Sequence, residues 1–311
     1  MLRRTMLAVS ASDRIRQIIT AAPYARDVVA RFVAGEGQDD ALRVTGQLLG
    51  RGLLVTLDHL GEHTTDPDQA AAAAGEYIGV LGRLAAAGHA RGGAAEVSVK
   101  PTAVGLGLGE HGEKTATENI ARICAAAEAA GTTVTLDMEE HDKVEAVLRI
   151  HRELRGEFVT LGCVIQSYLR RSESDCAALA RAGSRVRLCK GAYDAPAEVA
   201  FTDRRDVDRC YVRCLRSLLA GSGYPMVATH DPRLIEIAGT QAILAGRPVE
   251  AFEYQMLYGI RPVEQRRLAA SGARMRVYVP YGSDWYGYLT RRLAERPANL
   301  AFFLRSLASR R

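Results

Sequence analysis

Thr133-Val134-Thr135-Leu136-Asp137-Met138, followed by a helical segment at 142–154, is the stretch that decides the fold. Alternation puts Thr135 and Asp137 on one face of a strand and Val134, Leu136 and Met138 on the other, toward the helices. The same unit recurs along the chain. Strands are expected at 53–58, 97–100, 133–137, 160–165, 186–189, 226–229, 252–256 and 275–278, with amphipathic helices between them at 69–87, 118–130, 142–154, 175–182, 203–220, 232–245 and 262–270. Eight strand-helix repeats without a break in composition predict a (β/α)8 barrel rather than a Rossmann sheet. Residues 1–50 read as an N-terminal helical arm with helical spacing from Ile15 to Phe32 and again at 40–49, and 51–311 as the barrel domain.

The 311 residues, 48% of them hydrophobic, are enough for a large core. A net charge of +5 with acids interspersed gives no nucleic-acid stripe. Six cysteines without a CxxC pair fit a reducing compartment, where they act as small hydrophobes. Residues 1–12 carry only a broken apolar run and nothing later reaches a spanning length. The expectation is a cytoplasmic protein, at most peripheral at the inner face of the cell membrane. Oligomeric state has no signature here.

In such barrels the chemistry stands at the C-terminal ends of the strands. Those ends carry Asp58 with Glu62, Lys100, Asp137, Gln166, Arg187 with Lys190, Thr229 with His230, and Tyr278. Only four of the 41 basic residues are lysines, and two of them, Lys100 and Lys190, end apolar strands. Lys100 beside Asp137 has two readings, an ion pair that fixes both groups or a Schiff-base nucleophile of an aldolase-type lyase, a role open to Lys190 as well. His59, His63 and His141 set no metal-ligand spacing. Lys190-Gly191 at a strand-to-loop turn and Thr229-His230-Asp231-Pro232 at a helix start are candidate phosphate or cofactor edges.

The segment 276–297 passes from a strand through Gly282 to a helix closed by Pro297. Tyr288, Arg291, Arg292 and Glu295 share one face of that helix, beside an apolar stripe of Trp285, Leu289 and Leu293. A face of this kind is ordinarily solvated. Paired guanidiniums also suit bidentate capture of a small carboxylate.

Nine ordered motifs carry a resemblance over most of the chain. They are Arg31-Phe32-Val33-Ala34-Gly35-Glu36, Leu57-Asp58-His59-Leu60-Gly61-Glu62, Ser98-Val99-Lys100-Pro101-Thr102, Leu136-Asp137-Met138-Glu139-Glu140, Gln166-Ser167-Tyr168-Leu169-Arg170-Arg171, Arg187-Leu188-Cys189-Lys190-Gly191-Ala192-Tyr193, Ala228-Thr229-His230, Phe252-Glu253-Tyr254-Gln255-Met256-Leu257-Tyr258-Gly259 and the terminal Tyr288-x-x-Arg291-Arg292-Leu293-x-Glu295-Arg296-Pro297. The chain resembles the proline dehydrogenases, in their short single-function bacterial form.

The resemblance implies a distorted barrel whose last helix lies over the mouth, non-covalent FAD, and oxidation of L-proline to Δ1-pyrroline-5-carboxylate by hydride transfer to flavin N5. The electrons would pass to a quinone. Arg291 and Arg292 would hold the proline carboxylate, assisted by Lys100, with Asp137, Tyr278, Tyr288 and Leu257 shaping the pocket and Glu62 closing it against Arg291. Arg187 would lie near N5 and Gln166 at the pyrimidine edge, with Met138, Lys190, Gly191, Ala192, Thr229, His230 and Glu295 completing the FAD site. Asp231 departs from the family pattern, where Asn is frequent.

Overall fold

The computed structural model describes residues 29–61 and 64–289. Glu62, Arg291, Arg292 and Glu295, and the arm before residue 29, lie outside the described residues. Eight strands close a parallel barrel in sequence order, β8 pairing back onto β1. They are β1 (Leu54–His59), β2 (Ala95–Val99), β3 (Val134–Leu136), β4 (Gly162–Gln166), β5 (Arg185–Cys189), β6 (Tyr224–Ala228), β7 (Glu253–Leu257) and β8 (Met275–Tyr281). The outer helices are α2 (Pro67–Ala86), α3 (Gly112–Ala130), α4 (Val144–Leu154), α5 (Ser172–Arg181), α6 (Arg204–Ala220), α7 (Pro232–Leu244) and α8 (Pro262–Ala270). β8 continues three residues beyond the expected end because His59 of β1 finds its partner in Tyr281.

Preceding β1, α1 (Gln38–Leu49) packs on both β1 and β8 through Val44 and Leu48, with a contact to α2. That is the groove an eighth outer helix would fill, so the helix after β8 has to go elsewhere. Gly282 turns the chain with φ +128°, where a Cβ would stand 2.8 Å from the Leu60 carbonyl oxygen. Helix then begins at Trp285, whose indole N–H donates to Glu36 at 3.2 Å. Trp285, Tyr286, Tyr288 and Leu289 form a small apolar cluster with Phe32, Val33, Leu60 and Ile260, separate from the main core. Leu60 follows β1 and Ile260 follows β7, so the last helix starts over the mouth of the barrel.

The outward faces of the strands supply the large core with residues such as Val55, Leu57, Val97, Val99, Leu136 and Ile165. Inward positions are charged to an unusual degree, where branched aliphatics commonly fill such barrels. Arg276 of β8, 2% exposed, donates to both carboxylate oxygens of Glu253, at 2.6 and 3.1 Å, and to the carbonyls of Val55 and Gly93. Glu96 of β2 accepts from Arg185 at 2.9 Å and from the hydroxyls of Thr56, Thr133 and Thr135. Burial alone would raise the Glu96 pKa, but Arg276, Arg185 and Arg187 outweigh it and hold the carboxyl well below the usual range. The six thiols are unpaired in disulfides, five of them buried.

His151, on the core face of α4, is 2% exposed, with Nε2 3.2 Å from the Leu161 carbonyl oxygen. Burial pushes its pKa down to about 4. An unfolded histidine titrates near ~6.5, so the unfolded chain takes up this proton first. The stability it contributes is complete above ~6.5 and is lost as pH falls toward the folded value, on the order of 3 kcal/mol in all. Urea unfolding between pH 7 and pH 4 should therefore show a decline that His151→Gln flattens; an equal slope in the variant contradicts the assignment.

Candidate active site

The upper layer of the barrel interior gathers polar residues from five strands around one carboxylate. Asp137, just past β3, receives the Ser98 hydroxyl and the Arg187 Nη1 on Oδ1, both at 2.8 Å, and the Tyr278 hydroxyl on Oδ2 at 2.6 Å. The Arg187 Nη1 also donates to the Ser98 oxygen, and its Nε donates to Gln255 Oε1 at 2.6 Å. The guanidinium lies 5.1 Å from the centre of the Tyr278 ring. Its Nη2 is buried without a hydrogen bond, 3.8 Å from Glu96 Oε1. Burial, and after it the charge of Asp137, lifts the Tyr278 phenol well above its ordinary pKa, so the hydroxyl stays protonated.

Beside this cluster the Lys100 ammonium forms an ion pair with Asp58, both side chains buried. The pairing expected between Lys100 and Asp137 is not the one adopted: Lys100 goes to Asp58 and Asp137 to Arg187. Register does not decide it, since Ser98 pairs with Asp58 on β1 and with Thr135 on β3 and so sets Lys100 beside both strands; the oxygens of Asp137 are already taken by Ser98, Arg187 and Tyr278. Behind the pair, His59 packs on the rings of Tyr77 and Tyr281, its pKa lowered first by burial and also by Lys100.

Around β4 to β7 a second set of residues faces the same end. Gln166 donates from Nε2 to the Glu139 carbonyl at 2.8 Å, which turns its Oε1 toward Gly191. Gly191 has φ +101°, and a Cβ on it would stand 2.2 Å from the Tyr168 ring and 3.0 Å from Gln166 Oε1. Lys190 pairs with Asp208 at 2.5 Å and Asp231 at 3.3 Å. Asp231 also caps α7, and the Arg233 guanidinium holds its carboxyl well below the usual range. His230 accepts the Leu257 N–H on Nε2 at 3.0 Å, which assigns its proton to Nδ1 when neutral, while Arg261 binds the His230 carbonyl. Thr229 accepts the Asp231 N–H.

The structure thus brings Lys100, Asp137, Gln166, Arg187, Lys190, Gly191, Ala192, Thr229, His230, Leu257 and Tyr278 to the C-terminal end of the barrel, with Met138 buried at the same level and Tyr288 in the cluster above. Sequence reading gave no role to Gln255 or Ser98, although strand alternation marks both as inward-facing. Both strand-end lysines are engaged by carboxylates, Lys100 by Asp58 and Lys190 by Asp208 and Asp231. At the opposite end, a cleft of about 620 Å³ is lined by Arg185, Tyr224, Arg274 and Arg276. It is the floor of the barrel, away from the strand ends where chemistry is placed.

Fold and site together define a (β/α)8 protein with a charged, hydrogen-bonded cluster buried beneath its mouth. The family model for proline dehydrogenase matches residues 41–305. The chain is 40% identical over 307 residues to a proline dehydrogenase of Deinococcus radiodurans, covering 98% of this chain and 97% of the relative. It is 39% identical to proline dehydrogenase 1 of Bacillus subtilis over 99% of both chains. A crystal structure of proline utilization A from Bdellovibrio bacteriovorus, inactivated by N-propargylglycine, superposes with a TM-score of 0.80 at 28% identity, over 87% of this chain and 33% of the larger one. Proline utilization A from Bradyrhizobium japonicum, at 24% identity and a TM-score of 0.73, shares the fold over 87% of this chain and 31% of its own. The chain belongs to the proline dehydrogenase family.

Asp58→Asn takes the carboxylate from a buried ammonium, a loss of about 3–5 kcal/mol for pairs of this type. Adding Lys100→Met to that variant should recover part of the lost stability in urea unfolding. Strictly additive losses would mean that the two groups are not coupled.

Proposed function

We propose that this chain oxidises L-proline to Δ1-pyrroline-5-carboxylate with bound FAD and passes the electrons to a quinone, the first step of proline catabolism to glutamate. The observation that carries the reading is the fixed cation Arg187, clamped by Asp137, Ser98 and Gln255 beside the Gly191 turn. Family membership supplies the reaction class.

The residues present fit a flavin. Gln166 has its amide donor committed to Glu139 and offers an acceptor oxygen, the partner that a pyrimidine N–H needs. Gly191 leaves uncovered backbone where a side chain would collide with Tyr168. In this reading Met138, Gln166, Lys190, Gly191, Ala192, Thr229, His230 and Glu295 hold FAD. Bound there, FAD supplies the two-electron acceptor that no side chain provides.

The remaining work falls to the chain itself. Arg187 places positive charge where the cofactor gains electrons. Arg291 and Arg292 grip the substrate carboxylate with Lys100, a bidentate arrangement that sets which ring carbon faces the cofactor. Tyr278, whose hydroxyl donates to Asp137 Oδ2, presents a neutral phenol that shapes the pocket beside the substrate ring. Tyr288 and Leu257 wall the ring, and Glu62 closes the site by pairing with Arg291. No described helix is long and apolar enough to cross a membrane; in this reading the chain meets a membrane quinone peripherally.

The purified protein should be yellow, and anaerobic proline should bleach its band near ~450 nm, a property of the cofactor itself. A colourless protein, or a band that proline leaves intact, defeats the proposal. Arg292→Met should keep the flavin while raising KM for proline by roughly 30-fold or more, the equivalent of a lost charged contact. Unchanged KM removes Arg292 from the carboxylate site.

A further inference from the structure

Gln255 is 3% exposed, inward-facing on β7, and both halves of its amide are committed. Its Nε2 donates to Glu253 Oε1 at 2.6 Å, and its Oε1 accepts from Arg187 Nε at 2.6 Å. The orientation of that amide is not free. Both Glu253 oxygens accept from Arg276, and one also from Tyr224, so the NH2 end of Gln255 faces Glu253 and its oxygen is left for Arg187. Opposite Gln255, Glu96 Oε1 lies 3.8 Å from Arg187 Nη2, close enough to attract the guanidinium and too far to bond it. Arg187 is thus held between two pulls, toward Asp137 and Gln255 at the level of the site and toward Glu96 on the floor.

We propose that Gln255, oriented by Glu253, is a positioning residue that keeps the Arg187 guanidinium in the active site and prevents it from closing onto Glu96. The inference rests on the reading that Arg187 serves the flavin. Without the Gln255 oxygen, the Nε donor of Arg187 is orphaned in a buried site. With no acceptor left to anchor Nε, the pull of Glu96 is unopposed on that side and the guanidinium turns until Nη2, otherwise without a hydrogen bond, completes its ion pair with Glu96. Substrate capture does not involve this contact.

The test uses the flavin-loaded full chain and sulfite, an anion that adds to flavin N5 and is favoured by positive charge nearby. In Gln255→Met, sulfite affinity and kcat should each fall about tenfold or more while KM for proline stays within about twofold, the signature of a lost transition-state interaction. Gln255→Glu keeps an oxygen for Arg187 Nε and shares a proton with Glu253. It should bring both values back to within about threefold of the parent. Arg187→Met is the comparator. If it lowers sulfite affinity and Gln255→Met does not, the positioning role is overturned and Arg187 keeps its function. If Arg187→Met itself changes nothing, the reading of Arg187 fails. Should Gln255→Met not retain flavin, Gln255→Glu decides, and loss of sulfite affinity there overturns the inference.

Discussion

An arginine as deeply buried as Arg276 is tolerable only when its charge and all its donors are met, and the barrel interior is built around meeting them. Glu253 takes two of its N–H groups, the Val55 and Gly93 carbonyls take others, and Glu96 lies 3.8 Å from its Nε. The same two glutamates reach upward, Glu96 toward Arg187 and Glu253 through Gln255 to the Arg187 Nε. One connected network therefore runs from the floor to the mouth. Removing one member of such a network leaves its partners charged and dry, which costs more than the bond removed.

This arrangement explains how a site can be rigid before anything binds. Asp137 has three donors on two oxygens, and Arg187 has three acceptors on two nitrogens. Neither can move without breaking bonds in a region with little water to replace them. Positive charge at a fixed point is the useful form of charge for stabilising electrons as they arrive, since no reorganisation is needed during the reaction. The upper rim is built differently. There Lys190, Asp208, Asp231 and Arg233 form a partly exposed set of pairs that water screens.

Much of the barrel was legible along the chain because strand and helix periodicities are local. All eight strands fall within a few residues of their expected positions, and Thr135 and Asp137 do face inward. Pairing was not legible. Lys100 and Asp137 stand on neighbouring strands and look like natural partners, yet Arg187 reaches across the barrel to Asp137 and Lys100 pairs with Asp58 instead. Gln255 is a related case: alternation with Glu253 marks it as inward-facing, but an uncharged amide shows no role until its neighbours across the barrel are known.

The residue pattern by itself determined the repeating unit, the polar strand ends and the family, since these depend on spacing of two or 3.6 residues and on motifs contiguous in the chain. Tertiary structure alone decided which charges neutralise which and which element fills the outer groove between β8 and β1. Opposite charges find each other through space, and α1 occupies the outer groove between β8 and β1 only once the barrel has closed.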